Sequence, residues 1–155
     1  MPTTPATAYV AVVGAGEGVA QAILNDAEAV GEQLATGGAV LVCGGLGGVM
    51  EAACRGAVRA GGATVGILPG SDRAAANPWV TAAIASGMGE LRNGLVVRAA
   101  DAVIAIAGGV GTLSEIALAL KAGKPVVGLG TWEIPGVRPA GDPAEAVALA
   151  LGMYN

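Results

Sequence analysis

The sequence predicts an α/β fold with a three-layer, Rossmann-like, doubly wound and mostly parallel sheet. Three observations carry that expectation. Short valine-rich apolar runs recur along the chain, each closed by glycine. Stretches of helical length rich in alanine and leucine fall between them. The runs are continuous rather than alternating, as strands covered on both faces by helices must be.

The elements follow in order. YVAVV at 9–13 is a strand running into GAGEG, and VAQAILNDAEAVGEQLA has the length and composition of a helix. AVLVC at 39–43 repeats the pattern before GGLGG, and VMEAACRGAVRA is the helix after it. ATVGIL at 63–68 ends at Pro69-Gly70, Asn77-Pro78 reads as turn chemistry, and a further short strand is expected near Trp79–Ala85. AVIAIA at 102–107 precedes GGVGT and the helical TLSEIALALKA, and PVVGLG at 125–130 is the last strong strand. In GDPAEAVALALGM, Asp142 is placed as an N-cap, Pro143 at the first helical position and Glu145 three residues after the cap, so a closing helix is predicted. The recurring GG-x-G reflects repeated βα units, and no linker divides the 155 residues, so one domain is expected.

Composition narrows the function. Apolar residues make up 54% and charged residues 13%, which leaves too few polar side chains to cover every helix and predicts a homodimer or higher homo-oligomer. The net charge is −4 and the eight Lys and Arg are scattered, so nucleic acid is not an expected partner. The start, MPTTPATAYVAVVGAG, lacks a cationic region, and the longest uncharged window, 33–50, holds six glycines; neither a leader nor a membrane span is expected. Cys43 and Cys54 form no CxxC pair and there is no histidine, which points to a reduced, cytoplasmic protein without a metal site.

Loops at the carboxyl ends of a doubly wound sheet form its ligand crevice, where helix N-termini offer free N–H groups and a positive dipole end. Three glycine-rich turns should open there: Gly14-Ala15-Gly16-Glu17-Gly18, Gly44-Gly45-Leu46-Gly47-Gly48 and Gly108-Gly109-Val110-Gly111-Thr112. Gly14, Gly16, Gly44, Gly45, Gly47, Gly48, Met50, Gly108, Gly109, Gly111 and Thr112 are therefore candidate phosphate-binding or ligand-binding residues. Any one of these turns is equally well explained by tight βα geometry, but three together favour a phosphorylated small molecule. The first reads GxGxG rather than GxGxxG, with no acid placed for a ribose, and no GxxxxGK[ST] occurs.

Few charges lie beside these turns. Thr112 and Glu115 spell Thr-x-x-Glu, so the expected resting role of Glu115 is a capping box with Thr112. Arg92 offers a fork of donors to a phosphate or a ring edge. Arg98 and Asp101 frame the connection to the next strand and could simply pair, Asn93 and Arg98 are further candidate ligand-binding residues, and Glu51 suits the helix dipole in the first turn of its helix.

Taken together, GGLGGVMEAACRGA at 44–57, GGATVGILPG at 61–70, GMGELRNGLVVRAADAVIAIAGGVGTLSEIALAL at 87–120 and GKPVVGL at 123–129 resemble the LOG-like family, formerly labelled lysine decarboxylase-like. The resemblance implies a phosphoribohydrolase that cleaves the N-glycosidic bond of a nucleoside 5′-monophosphate, with Arg92 and Glu115 as its paired catalytic residues. It places the phosphate on Gly108, Gly109, Gly111 and Thr112, and implies a homodimer whose site borrows residues from its neighbour, with Arg92 or Arg98 crossing over. Two positions depart from the family's PGGxGTxxE and Arg-Lys pattern: its proline is Ala107 and its pair is Arg92-Asn93. That form is similar to the short-chain branch that includes the molybdenum cofactor carriers, which hold a phosphorylated pterin without turning it over. No cofactor is required on either reading, and the molybdenum cofactor is itself the ligand on the second. In a hydrolase Glu115 would stabilise an oxocarbenium-like sugar, with Glu90 or Glu51 as weaker second carboxylates.

Overall fold

The computed structural model describes residues 6–154. The segment MPTTP, on which the expectation of no leader partly rested, lies outside them. Seven strands form one sheet: β1 (Tyr9–Gly14), β2 (Val40–Cys43), β3 (Thr64–Leu68), β4 (Ala82–Ala85), β5 (Ala102–Ile106), β6 (Val126–Leu129) and β7 (Val137–Ala140). Five helices join them: α1 (Gln21–Thr36), α2 (Val49–Arg59), α3 (Arg92–Arg98), α4 (Val110–Lys121) and α5 (Pro143–Tyr154). The strand order is β4-β3-β2-β1-β5-β6-β7, and every neighbouring pair is parallel. The fold is therefore α/β and Rossmann-like, with a sheet that is fully parallel rather than mostly so.

Strand parity builds the layers. Val10 and Val12 of β1, with Ile104 and Ile106 of β5, face a core closed by α1, α2 and α5. Ala11 and Val13, with Val103 and Ala105, face the opposite core, closed by α3 and α4. This two-sided burial explains the unbroken apolar runs, and each fully buried valine or isoleucine is worth roughly 1.5–3 kcal/mol relative to exposure.

The chain walks outward from β1 to β4 and then returns to lay β5 against the other side of β1. The connections around β1 leave in opposite directions and open a crevice at its carboxyl end, which is where such sheets bind ligands.

Asp142 caps α5, accepting the Glu145 N–H at 2.8 Å, while the Glu145 carboxylate accepts the Gly141 N–H at 2.9 Å, one residue before the cap. Asn77 makes the expected turn, accepting the Trp79 N–H and donating from its side-chain amide to the Leu46 carbonyl. β7, with sequence VRPA, was not expected. An arginine and a proline break any apolar pattern, and only an edge strand tolerates the proline. No helix among the described residues is long and apolar enough to cross a membrane.

Candidate functional site

A cavity of about 300 Å³ opens at the carboxyl end of β1. Gly14 and Gly16 line it from the first turn, Gly44 and Met50 from the second, and Gly109, Gly111, Thr112 and Glu115 from the third turn and α4. Arg92 and Asn93, at the start of α3, close the remaining side. Chain segments far apart in sequence thus converge on the crevice that the strand order creates.

Five expected residues fall elsewhere. Gly45, Gly47, Gly48 and Gly108 do not line the cavity, and their space is filled by protein. Gly48 has φ +62°, and a Cβ there would collide with the Ala15 carbonyl oxygen; this glycine lets the second turn pack beneath the first. Arg98 is exposed at the carboxyl end of α3, away from the cavity, because a helix of seven residues carries its two ends to different levels of the sheet. Arg98 makes no ion pair with Asp101, whose carboxylate instead accepts the Tyr9 N–H at 2.9 Å. In the other direction, Glu17 stands exposed on the cavity rim; the first turn drew attention for its glycines, and the carboxylate between them was the available signal.

The capping box does not form. α4 begins at Val110 with Gly109 as its N-cap, so Thr112 is third and Glu115 sixth in the helix, too far along to cap it. The helix starts early because Ala107 (φ +46°) and Gly108 (φ +94°) turn the chain sharply as it leaves β5. Ala107 stands where the LOG pattern has proline, whose ring excludes a positive φ, so this turn has a backbone that the proline form cannot share.

The early start carries Glu115 into the cavity wall, where it is 8% exposed. Burial raises its pKa from 4.5 to about 7, and the positive charge of Arg92 opposes that rise only in part. Arg92 is 9% exposed. Its Nη1 donates to the Asn93 side-chain oxygen, and its Nε is buried without a hydrogen-bond partner. Asn93 donates in turn to Ser114 Oγ at 3.4 Å, and Ser114 donates to the Gly111 carbonyl at 2.6 Å. Asparagine thus orients the guanidinium and ties it to the α4 turn. A lysine at the same position has no acceptor for Arg92.

Arg92 also explains Gly44. A Cβ at Gly44 would lie 2.7 Å from Nη2, so the guanidinium occupies the space that any other residue would need. Behind this turn the two cysteines, eleven residues apart in sequence, approach to 3.5 Å between sulfurs, and Cys43 Sγ accepts the Gly45 N–H at 3.3 Å. Both are free thiols.

The chemical character is clear from these parts. A buried cation with an unused donor lies near a carboxyl group whose pKa burial raises to about 7, beside the N-terminus of the twelve-residue α4 with its free backbone N–H groups. Such a cavity suits an anion.

An uncharacterized protein of Archaeoglobus fulgidus is 45% identical over 139 residues, covering 89% of this chain and 91% of that protein. The molybdenum cofactor binding protein of the phototrophic bacterium Rippkaea orientalis is 35% identical and superposes with a TM-score of 0.91, covering 98% of this chain and 100% of that one. The Moco carrier protein of Chlamydomonas reinhardtii is 37% identical with a TM-score of 0.87, covering 96% of this chain and 98% of that one. The SLOG cluster4 family matches residues 7–149, and the chain belongs to that family.

Proposed function

We propose that the cavity binds a phosphorylated pterin of the molybdenum cofactor type and holds it without turnover, as a carrier or storage protein. The observation that carries this reading is Arg92, a buried guanidinium whose Nε has no protein partner. Leaving such a donor unpaired is costly, and a phosphate oxygen would repay it. The phosphate would rest on Gly109, Gly111 and Thr112 at the start of α4. Met50, Gly14 and Gly16 would border the rest of the ligand. The likeness to cofactor-binding and carrier proteins over nearly the whole chain supports the cargo.

The test is retention. Phosphorylated pterin released from a denatured molybdoenzyme is mixed with the protein, passed through a desalting column and assayed by fluorescence after oxidation. The wild type is expected to retain it, and Arg92→Ala to bind it about ten- to a hundredfold more weakly, the range for a charged hydrogen bond of roughly 1.5–3 kcal/mol. No retention by the wild type overturns the reading.

A second reading rests on Glu115. A carboxyl group that titrates near neutrality suits a general acid, and a nucleoside monophosphate hydrolase would use it to protonate the departing base. Ionised, it would serve an oxocarbenium-like sugar, and burial opposes that ionisation. Incubation with AMP and chromatography for free adenine separates the two. Release that is lost in Glu115→Gln would establish the hydrolase.

We also infer a homodimer formed through the α3 and α4 layer. Leu91, Leu95 and Leu118 are exposed there, at 72%, 39% and 41%, and Leu91 and Leu118 line a groove between α3 and α4. Light scattering after Leu95→Glu and Leu118→Glu should show monomer where the wild type shows dimer.

A further inference from the structure

The connection from β6 to β7 has seven residues, 130–136, and no helix. Parallel neighbours are usually joined by a dozen or more residues, with a helix laid on the sheet. Here GTWEIPG arches from the carboxyl end of β6 back to Val137, which pairs with Val126 at its amino end, and a cavity of about 430 Å³ lies beside the arch. Trp132, Glu133, Ile134 and Pro135 line it from the arch, and Val137 and Pro139 from β7. The lining holds a carboxylate and neither a lysine nor an arginine, so it disfavours phosphate.

The arch is tied to the third glycine turn. Thr131 Oγ1 donates to the Ala107 carbonyl at 2.6 Å, and Trp132 Nε1 donates to the Gly109 carbonyl at 3.1 Å. The Ala107 N–H donates to Leu129, the last residue of β6, at 3.1 Å. Ala107 is the one non-glycine residue at positive φ among the described residues, so these bonds hold a backbone conformation that alanine does not favour. Gly109 lines the first cavity. Residues 107–109 therefore stand between two cavities, and side chains of the second hold their carbonyl groups in place.

We propose that the second cavity binds a planar nitrogen heterocycle with N–H donors along one edge, a purine or aminopyrimidine ring, and that its occupancy changes anion affinity in the first cavity. An indole offers a flat surface for stacking, and an adjacent carboxylate accepts paired N–H groups while excluding phosphate. A ring that stacks on Trp132 shifts the indole whose N–H holds Gly109, and the turn responds. The ring site stands without the preceding section; the coupling rests on the first cavity being an anion site.

Guanosine, which lacks phosphate and presents N1–H and N2–H₂ side by side, is the suitable probe, and adenosine, whose N1 is an acceptor, is expected to bind more weakly. Of the two tryptophans, the indole ¹⁵N–H signal of Trp132 is assigned by its loss in Trp132→Phe, so the unmodified protein can be titrated. Saturable movement of that signal is expected. Glu133→Gln should weaken guanosine about tenfold, and Arg92→Ala should not weaken it. Saturating guanosine should change the dissociation constant for inorganic phosphate at least threefold. An unmoved Trp132 signal up to the solubility limit overturns the ring site. So does nucleoside binding that Arg92→Ala abolishes and Glu133→Gln spares, since the ring would then occupy the first cavity. An unchanged phosphate affinity overturns the coupling. Failure of the pterin reading shows separately, as lost retention in a protein whose Trp132 signal still responds.

Discussion

Gly44-Gly45-Leu46-Gly47-Gly48 and Gly108-Gly109-Val110-Gly111-Thr112 have nearly the same letters at the same place in their βα units, yet their glycines answer different demands. In the first turn a Cβ at Gly44 would strike Arg92, one at Gly45 would strike Leu68, and one at Gly48 would strike the Ala15 carbonyl. In the second, a Cβ at Gly109 or Gly111 would meet no protein atom within 4 Å, although both residues line the cavity. Glycine in the packed turn makes room for the protein; in the open turn Gly108 does the same for the Thr112 side chain, while Gly109 and Gly111 leave room for something else. The pattern GG-x-G is thus no measure of ligand binding; the surroundings of each glycine are.

Three substitutions sharpen or break this contrast. The largest effect is expected from Gly48→Ala. At φ +62° and ψ −129° the backbone lies where alanine is strongly disfavoured, and the Ala15 oxygen fills the side-chain space. Urea unfolding should show a loss of about 3 kcal/mol or more. A cost under about 1 kcal/mol would mean that the packed turn adjusts freely, and the contrast would fail.

Next comes Glu115, beneath the open turn. Its folded pKa of about 7 lies above the unfolded 4.5, so the folded state binds the proton more tightly. Stability from this group is therefore full below pH 4.5 and falls as pH rises through about 7, by about 3 kcal/mol in all. Glu115→Gln should remove that slope, leaving the variant more stable than wild type at pH 8. Phosphate affinity should fall above pH 7 in the wild type and hold level in the variant. Identical pH profiles for the two proteins would place Glu115 in water rather than in the cavity wall.

The smallest effect on stability is expected from Gly111→Ala. Position 111 is helical with open space around its Cβ, so alanine should stabilise the empty protein by about 0.5 kcal/mol. Anion affinity should nevertheless fall about tenfold, because the methyl group enters the ligand's space. Unchanged affinity would show that the open turn is simply exposed.

Much of the site was legible because it rests on chain-local chemistry. Valine runs that end in glycine announce strands and the turns after them, and Arg92 and Glu115 stand out in a chain with only 13% charged residues. What was misread depended on helix phase. Thr-x-x-Glu matches a capping box, but two successive residues at positive φ start α4 at Val110 and rotate Glu115 inward. The seven-residue α3 puts Arg92 in the cavity wall and Arg98 in water. Nothing in VRPA signals β7, whose pairing partner is β6 and whose proline is tolerated only at an edge.

The two-sided sheet and the glycine turns along its carboxyl edge are legible residue by residue, because strand burial and turn conformation are written in neighbouring residues. Which turn is packed and which is open, the burial of Arg92 with a donor to spare and the raised pKa of Glu115 emerge once the chain is folded. Those properties come from desolvation and from contacts between residues distant along the chain, and no local spacing records them.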